Sequence, residues 1–252
     1  MLLRTTRGRW FCLCLFTLLA VLPRAATSDQ TTIETGLLNG TAEINGRKMP
    51  YVVYVPRNYS PDTQWPVILF LHGSGEIGSD GLRQVTSGIG PHLLWNARRF
   101  PCLVVMPQTT SSWTGGYIDL ALQSADDVIA KYHGDPDRLY LTGLSLGGNG
   151  TWNLAYKHPE RFAAIIPISG WGNPAIMAPK LKSLPIWVFH GDHDSVVPVK
   201  SARDMVSAIQ AAGNTIIMYT EYPGADHNVW DRTYDSSKVI AWLLSQKRGA
   251  PQ

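Results

Sequence analysis

Cysteine is scarce in this chain, with three residues in 252, and two of them, Cys12 and Cys14, sit near the N-terminus. Without that stretch Cys102 stands alone, so no internal disulfide can form, and its flanks Pro101 and Leu103 read it as buried apolar filler. Charge is thin as well: 16% of residues are Asp, Glu, Lys or Arg, and no basic tract occurs. There is therefore no electrostatic reason to expect a nucleic-acid partner. No group of His, Cys and carboxylates has metal-ligand spacing, so no metal or cofactor is expected. Internal repeats, linkers and low-complexity segments are missing too.

The longest apolar run, Trp10 to Leu22, is short for a membrane span. Basic Arg4, Arg7 and Arg9 precede it and Pro23-Arg24-Ala25-Ala26-Thr27 follows, which is the layout of a signal peptide over residues 1–27. Its removal takes four arginines and no acid, so the formal charge moves from +3 to 3 − 4 = −1. No cysteine stands at the cleavage point for lipidation. A secreted or periplasmic protein without a stable membrane anchor is expected, with residues 28–252 as one α/β domain large enough to bury a substantial core. Of three N-x-S/T sequons, the one at Asn149 lies inside a helical segment and reads as accidental.

Along the chain, Thr41 to Ile44 and Lys48 to Val55 are β-rich and meet across Asn45-Gly46, a two-residue hairpin signal. Val67 to Leu71 and Leu103 to Met106 are continuous apolar runs suited to strands buried on both faces. Further strands are predicted over Leu139 to Thr142, Ala163 to Ile168, Ile186 to Phe189 and Ile216 to Tyr219. Between them, Ile118, Ala121, Leu122, Ala125, Val128, Ile129 and Tyr132 follow helical spacing. Helices are also predicted over His92 to Arg98, Leu146 to Lys157, Pro198 to Gly213 and Ser237 to Leu244. Strands alternating with helices imply a mostly parallel sheet covered on both faces.

The segment Thr142-Gly143-Leu144-Ser145-Leu146-Gly147-Gly148 then falls at a strand-to-helix turn. Glycine on both sides of such a turn lets strand and helix backbones approach, while the serine is held in a strained conformation with its hydroxyl exposed. Gly147, Gly148 and Gly150 in a first helical turn each cost about 1 kcal/mol relative to alanine, which points to a close-packing requirement. In a parallel sheet, function gathers at the carboxyl ends of the strands. His72-Gly73-Ser74, Ser145, Asp192, Asp194 and His227 all fall there. A serine hydroxyl needs a base, and an imidazole base needs a carboxylate to fix its tautomer. Either aspartate could supply that carboxylate or cap a turn.

From about Thr41 to the C-terminus, LHGSGE at 71–76, GLSLGG at 143–148, HGDHDSVVP at 190–198 and GADHNVW at 224–230 resemble the α/β-hydrolase superfamily. The resemblance is to secreted esterases grouped with feruloyl and acetylxylan esterases, polyhydroxyalkanoate depolymerases and the catalytic domain of prolyl oligopeptidases. It implies an α/β-hydrolase fold, with Ser145 as nucleophile, His227 as base and Asp194, from the H-G-x-x-D pattern with Val-Pro following, as its partner. It also implies an oxyanion hole from the backbone N–H groups of Leu146 and of Ser74, with Gly75 as the alternative to Ser74. Glu76 and Asp80 are expected to organise that loop.

Trp113, Trp171 and Trp230 are read as loop residues at these strand ends, able either to line a substrate pocket or to be buried. The span between Ile168 and Ile186, where many relatives insert a lid, is too short for one. The expectation is a serine ester hydrolase acting on feruloyl, aryl or acetyl esters of carbohydrate-like alcohols, whether small molecules or polysaccharide-linked. A prolyl-oligopeptidase-type serine peptidase and a catalytically silent binding protein are the rival expectations.

Overall fold

Alternation along each strand decides the architecture. In the computed structural model, which describes residues 33–249, Val67, Leu69 and Leu71 pack into one core while Ile68 and Phe70 pack into a second on the opposite face. Leu103 and Val105 divide from Val104 and Met106 in the same way. The strands are β1 (Gly36–Ile44), β2 (Arg47–Val55), β3 (Trp65–Leu71), β4 (Leu103–Pro107), β5 (Gly134–Leu144), β6 (Ala164–Ile168), β7 (Ile186–Gly191) and β8 (Ile217–Tyr222). They form one sheet in the order β1-β2-β4-β3-β5-β6-β7-β8. β2 runs antiparallel to both of its neighbours, and every pair from β4 to β8 is parallel. This is the expected α/β-hydrolase architecture. The β1–β2 turn holds Asn45 at φ 51° and Gly46 at φ 78°, the double positive φ that matches the twist of the flanking strands.

The helices are α1 (Ile89–Trp95), α2 (Gly116–Lys131), α3 (Leu146–Lys157), α4 (Pro174–Met177), α5 (Lys200–Ala211), α6 (Trp230–Asp235) and α7 (Ser237–Ser245). Apolar faces of α2, α3 and α5 cover one side of the sheet through Ala125, Trp152 and Met205, among others. Ile89, Leu93, Tyr234 and Ile240 from α1, α6 and α7 cover the other. Cys102 is buried in this second core as a free thiol, and burial pushes its pKa up. The span between β6 and β7 contains only the one-turn α4 and a following 3₁₀ turn, so no lid domain is inserted there.

Several boundaries differ from expectation. α1 begins at Ile89 rather than at His92, because burying Ile89 and Leu93 one turn apart aligns it on the sheet. Pro91 is tolerated there, since a first-turn N–H needs no partner. β5 extends back to Gly134 through Pro136, with a register shift between Trp65 and Val67 on its neighbour. The expected leader at residues 1–27 lies outside the described residues. Among the described residues, no helix is long and apolar enough to cross a membrane.

The tightest backbone contact lies where β5 enters α3. A Cβ added at Gly147 would sit 1.9 Å from the Leu71 carbonyl oxygen, which belongs to a buried strand and cannot swing aside. Gly147→Ala is therefore expected to destabilise the fold by about 3 kcal/mol, read from denaturant midpoints. Nothing lies within 4 Å of the corresponding position at Gly75. Gly75→Ala should leave stability within about 0.5 kcal/mol.

Candidate active site

Ser145 directly follows β5, at φ 53° and ψ −113°, a left-handed conformation that a non-glycine residue adopts only under constraint. The constraint is visible. The Ser145 N–H donates to the Ile168 carbonyl at 2.9 Å, the Asn149 N–H donates back to the Ser145 carbonyl at 3.0 Å, and α3 starts at the next residue. With its backbone fixed there, the Ser145 Oγ lies 2.9 Å from His227 Nε2. On the far side of that ring, His227 Nδ1 lies 2.8 Å from Asp194 Oδ2. The carboxylate is an acceptor, so Nδ1 carries the proton and Nε2 is left as the base facing the hydroxyl.

Asp194, not Asp192, meets the imidazole. Its side chain is fully buried, and its second oxygen, Oδ1, takes the N–H groups of Val196 at 2.9 Å and Val197 at 2.8 Å. Asp192 instead accepts the Gly224 N–H at 2.7 Å, tying the loop after β7 to the loop after β8. Asp226 ties them a second time, through the Ser195 N–H at 2.8 Å and the Ser195 hydroxyl at 2.9 Å. Those Ser195 bonds, with the N–H of His227, hold the Asp226 carboxyl below its usual range. A further support, which sequence reasoning did not single out, is Ser169 at the end of β6. Buried at φ 46°, it donates from Oγ to the His227 carbonyl at 2.9 Å. Its one signal in the sequence is a Ser-Gly pair directly after a buried strand.

The turn after β3 lies at the same edge of the sheet. His72 is buried and neutral: its Nε2 accepts the Thr109 N–H at 3.1 Å, its Nδ1 lies 2.6 Å from the Gly73 carbonyl and donates to it, and burial pushes its pKa down to about 4. The Gly73 N–H is taken by Glu76 Oε2 at 3.0 Å, and burial raises the Glu76 carboxyl. That leaves the next amides, Ser74 and Gly75, at the head of a 3₁₀ turn where helical geometry gives them no carbonyl. Leu146, the first residue of α3, has the same freedom on the opposite side. Asp80 accepts the N–H groups of Leu82 at 2.8 Å and Arg83 at 3.0 Å, while buried Gln108 pins Gly81 and the Glu76 carbonyl, so this loop is organised by local hydrogen bonds.

The three tryptophans separate. Trp113 is 0% exposed, with Nε1 donating to the His72 carbonyl at 2.9 Å and the two rings 4.9 Å apart, so it props the turn from behind and cannot stack on a ligand. Its assignment to a substrate pocket is corrected by that burial. Trp230 is the first residue of α6 rather than a loop residue, and it stands edge-on to the His227 ring at 5.3 Å. Trp171 is 37% exposed on the loop after β6, its carbonyl accepting from Asn149 Nδ2 at 2.8 Å beside the first turn of α3. No group of three or more His, Cys, Asp or Glu able to hold a metal occurs among the described residues.

Residues 111–241 match the model of the dienelactone hydrolase family. An uncharacterized secreted protein of Arthroderma benhamiae is 28% identical over 68% of this chain, which spans only 22% of that protein's length. A protein named probable feruloyl esterase C from Aspergillus niger is 24% identical over 82% of this chain and 77% of its own. The crystal structure of a thermostable esterase superposes with a TM-score of 0.76 at 34% identity, covering 84% of this chain and 63% of that one.

The distinct contacts of the two aspartates generate a ranking. Asp194→Asn should lower kcat by about 10⁴ at neutral pH, because an amide can present an N–H to Nδ1 and so favour the wrong imidazole tautomer. Asp192→Asn, whose Oδ1 can still accept the Gly224 N–H and which does not touch the imidazole, should stay within about tenfold. Steady-state kinetics on any ester the wild type hydrolyses checks the order, and the reverse order contradicts it.

Proposed function

The chain belongs to the dienelactone hydrolase family, and from that premise we propose that it is a secreted or periplasmic serine ester hydrolase working through an acyl-enzyme. The observation that carries this reading is the line of contacts from Ser145 Oγ to His227 Nε2 at 2.9 Å and from His227 Nδ1 to Asp194 at 2.8 Å. In the first step Nε2 takes the hydroxyl proton as Oγ attacks the ester carbonyl. The tetrahedral oxyanion is met by the N–H of Leu146 and that of Ser74 or Gly75, donors whose preorganised aim is worth about 3 kcal/mol each. The imidazolium, held by Asp194, then gives its proton to the leaving alcohol. Water enters and attacks the acyl carbon as the same Nε2 takes its proton, and the imidazolium then returns that proton to Ser145 Oγ as the C–Oγ bond breaks and the acid leaves.

For substrate, the reading favours feruloyl, aryl or acetyl esters of carbohydrate-like alcohols. Among the described residues no lid domain is inserted between β6 and β7, which leaves room for a bulky or polymeric alcohol to approach. Trp171 is exposed beside the elbow helix, Trp230 stands against the base, and indole faces stack on both phenolic rings and sugars. The name of the Aspergillus niger relative supports the same choice. Export is supported by the composition of residues 1–27 and by the name of the Arthroderma benhamiae protein.

Ser145→Ala should lower kcat by roughly 10⁴ to 10⁶ while leaving the melting temperature in place, and should abolish labelling by an organophosphonate. A panel of acetyl, butyryl, feruloyl and peptide-amide substrates should show turnover of the esters. Preferential cleavage of amides would replace this reading by a peptidase, and no turnover with no labelling by a silent binding protein. Trp171→Ala should raise KM for a feruloyl ester several-fold more than for a minimal acetyl ester, which cannot reach the ring. Trp113→Ala should instead destabilise the fold by about 3–5 kcal/mol without that selectivity.

A further inference from the structure

We propose that His190 is a positioning residue for Asp194, donating from its Nε2–H to the same carboxylate oxygen that holds His227 and thereby setting how basic His227 is. The inference rests on the Ser145, His227 and Asp194 reading given above. His190 is the penultimate residue of β7 and is fully buried. Its Nε2 lies 3.0 Å from Asp194 Oδ2 and 2.9 Å from the Val197 carbonyl. Both neighbours are acceptors, so Nε2 must carry the hydrogen. Nδ1 is buried with no hydrogen-bond partner, which a charged ring, with an N–H there, could not tolerate. The ring is therefore a neutral Nε2–H imidazole, and burial lowers its pKa against the opposing pull of Val197 and Asp194.

Asp194 thus takes two amides on Oδ1 and the His227 ring on Oδ2, while the single His190 N–H, shared with the Val197 carbonyl, lies 3.0 Å from the same Oδ2. The His190 N–H draws electron density from the oxygen that faces His227. Without it, Oδ2 holds the His227 imidazolium more strongly, and less of the ring is free to accept the Ser145 proton near neutrality. A carboxylate held at three points can also rotate away from Nδ1. Few other charges face His190. Asp194 and His227 come from the loops after β7 and β8, and Glu221, its register partner on β8, is itself held by Arg203 and the Tyr219 hydroxyl. The β6 residues beside it, Ile168 and Ser169, do not titrate.

The test compares kcat/KM against pH for wild type, His190→Leu and His190→Gln on an ester that the wild type hydrolyses, with melting curves for each. Loss of the donor in His190→Leu should move the acid limb up by about 0.5 to 1 pH unit and lower kcat about tenfold or more, whereas His190→Gln, which keeps an N–H, should return the limb toward wild type. A limb that stays in place in a folded His190→Leu overturns the proposal and leaves His190 as a strut for Val197. If His190→Leu does not fold, ¹⁵N NMR of the histidines in the wild type decides: a neutral His190 protonated at Nε2 supports it and protonation at Nδ1 overturns it. Ser145→Ala, run in parallel, separates the two claims. Activity surviving in that variant removes the triad reading itself, while its loss together with an unmoved limb in His190→Leu removes only the role of His190.

Discussion

Everything at the site depends on a backbone crossing too tight for side chains. β3, β5 and β6 converge with the start of α3, so that the Leu71 carbonyl lies where a Gly147 Cβ would be and the Ile168 carbonyl within 2.5 Å of where a Gly148 Cβ would be. The Ile168 carbonyl also anchors the Ser145 N–H, so the serine has no room to relax from φ 53°. A strained residue of this kind costs on the order of 1–3 kcal/mol and survives only when its surroundings over-determine it. Here the surroundings are buried strands, so the hydroxyl is presented at a fixed point without support from its own side chain.

The partners are held by a different device. Neither Asp194 nor His227 lies in regular structure, and each is positioned by polar ties between two adjacent loops. Asp192 to Gly224, Asp226 to Ser195, and Ser169 to the His227 carbonyl all act on the backbone. The geometry of the ring is thus over-determined by hydrogen bonds, where that of the serine is over-determined by packing. The division suits the proposed chemistry, in which His227 carries charge transiently, because polar ties tolerate that better than an apolar cage does. His190 extends the polar side of this arrangement into the sheet.

Legibility in the sequence followed the range of the interaction. The continuous apolar run Val67 to Leu71, the Asn45-Gly46 turn and the glycines around Ser145 all report local backbone requirements, and each predicted its element. The strand-end placement of Ser145, Asp194 and His227 followed once the βα order was read. What escaped depends on what packs above a residue. Trp113 and Trp171 both sit on loops after strands, yet one tucks beneath the His72 turn against Gly150 and the other stays open, a difference no window of sequence contains. α1 was placed three residues late because Gly88 and Pro91 look like loop, although both are compatible with a helix start. His190 escaped because Asp194 becomes its neighbour only when the chain turns back after β7.

The central claim is that Ser145 carries the acyl group between two half-reactions. Rapid-quench mass spectrometry during turnover of a feruloyl or acetyl ester tests it most directly. The account predicts a transient adduct of one acyl mass, confined to the peptide containing Ser145 and gone when substrate is exhausted. Turnover at full rate with the acyl group found on another residue would contradict it.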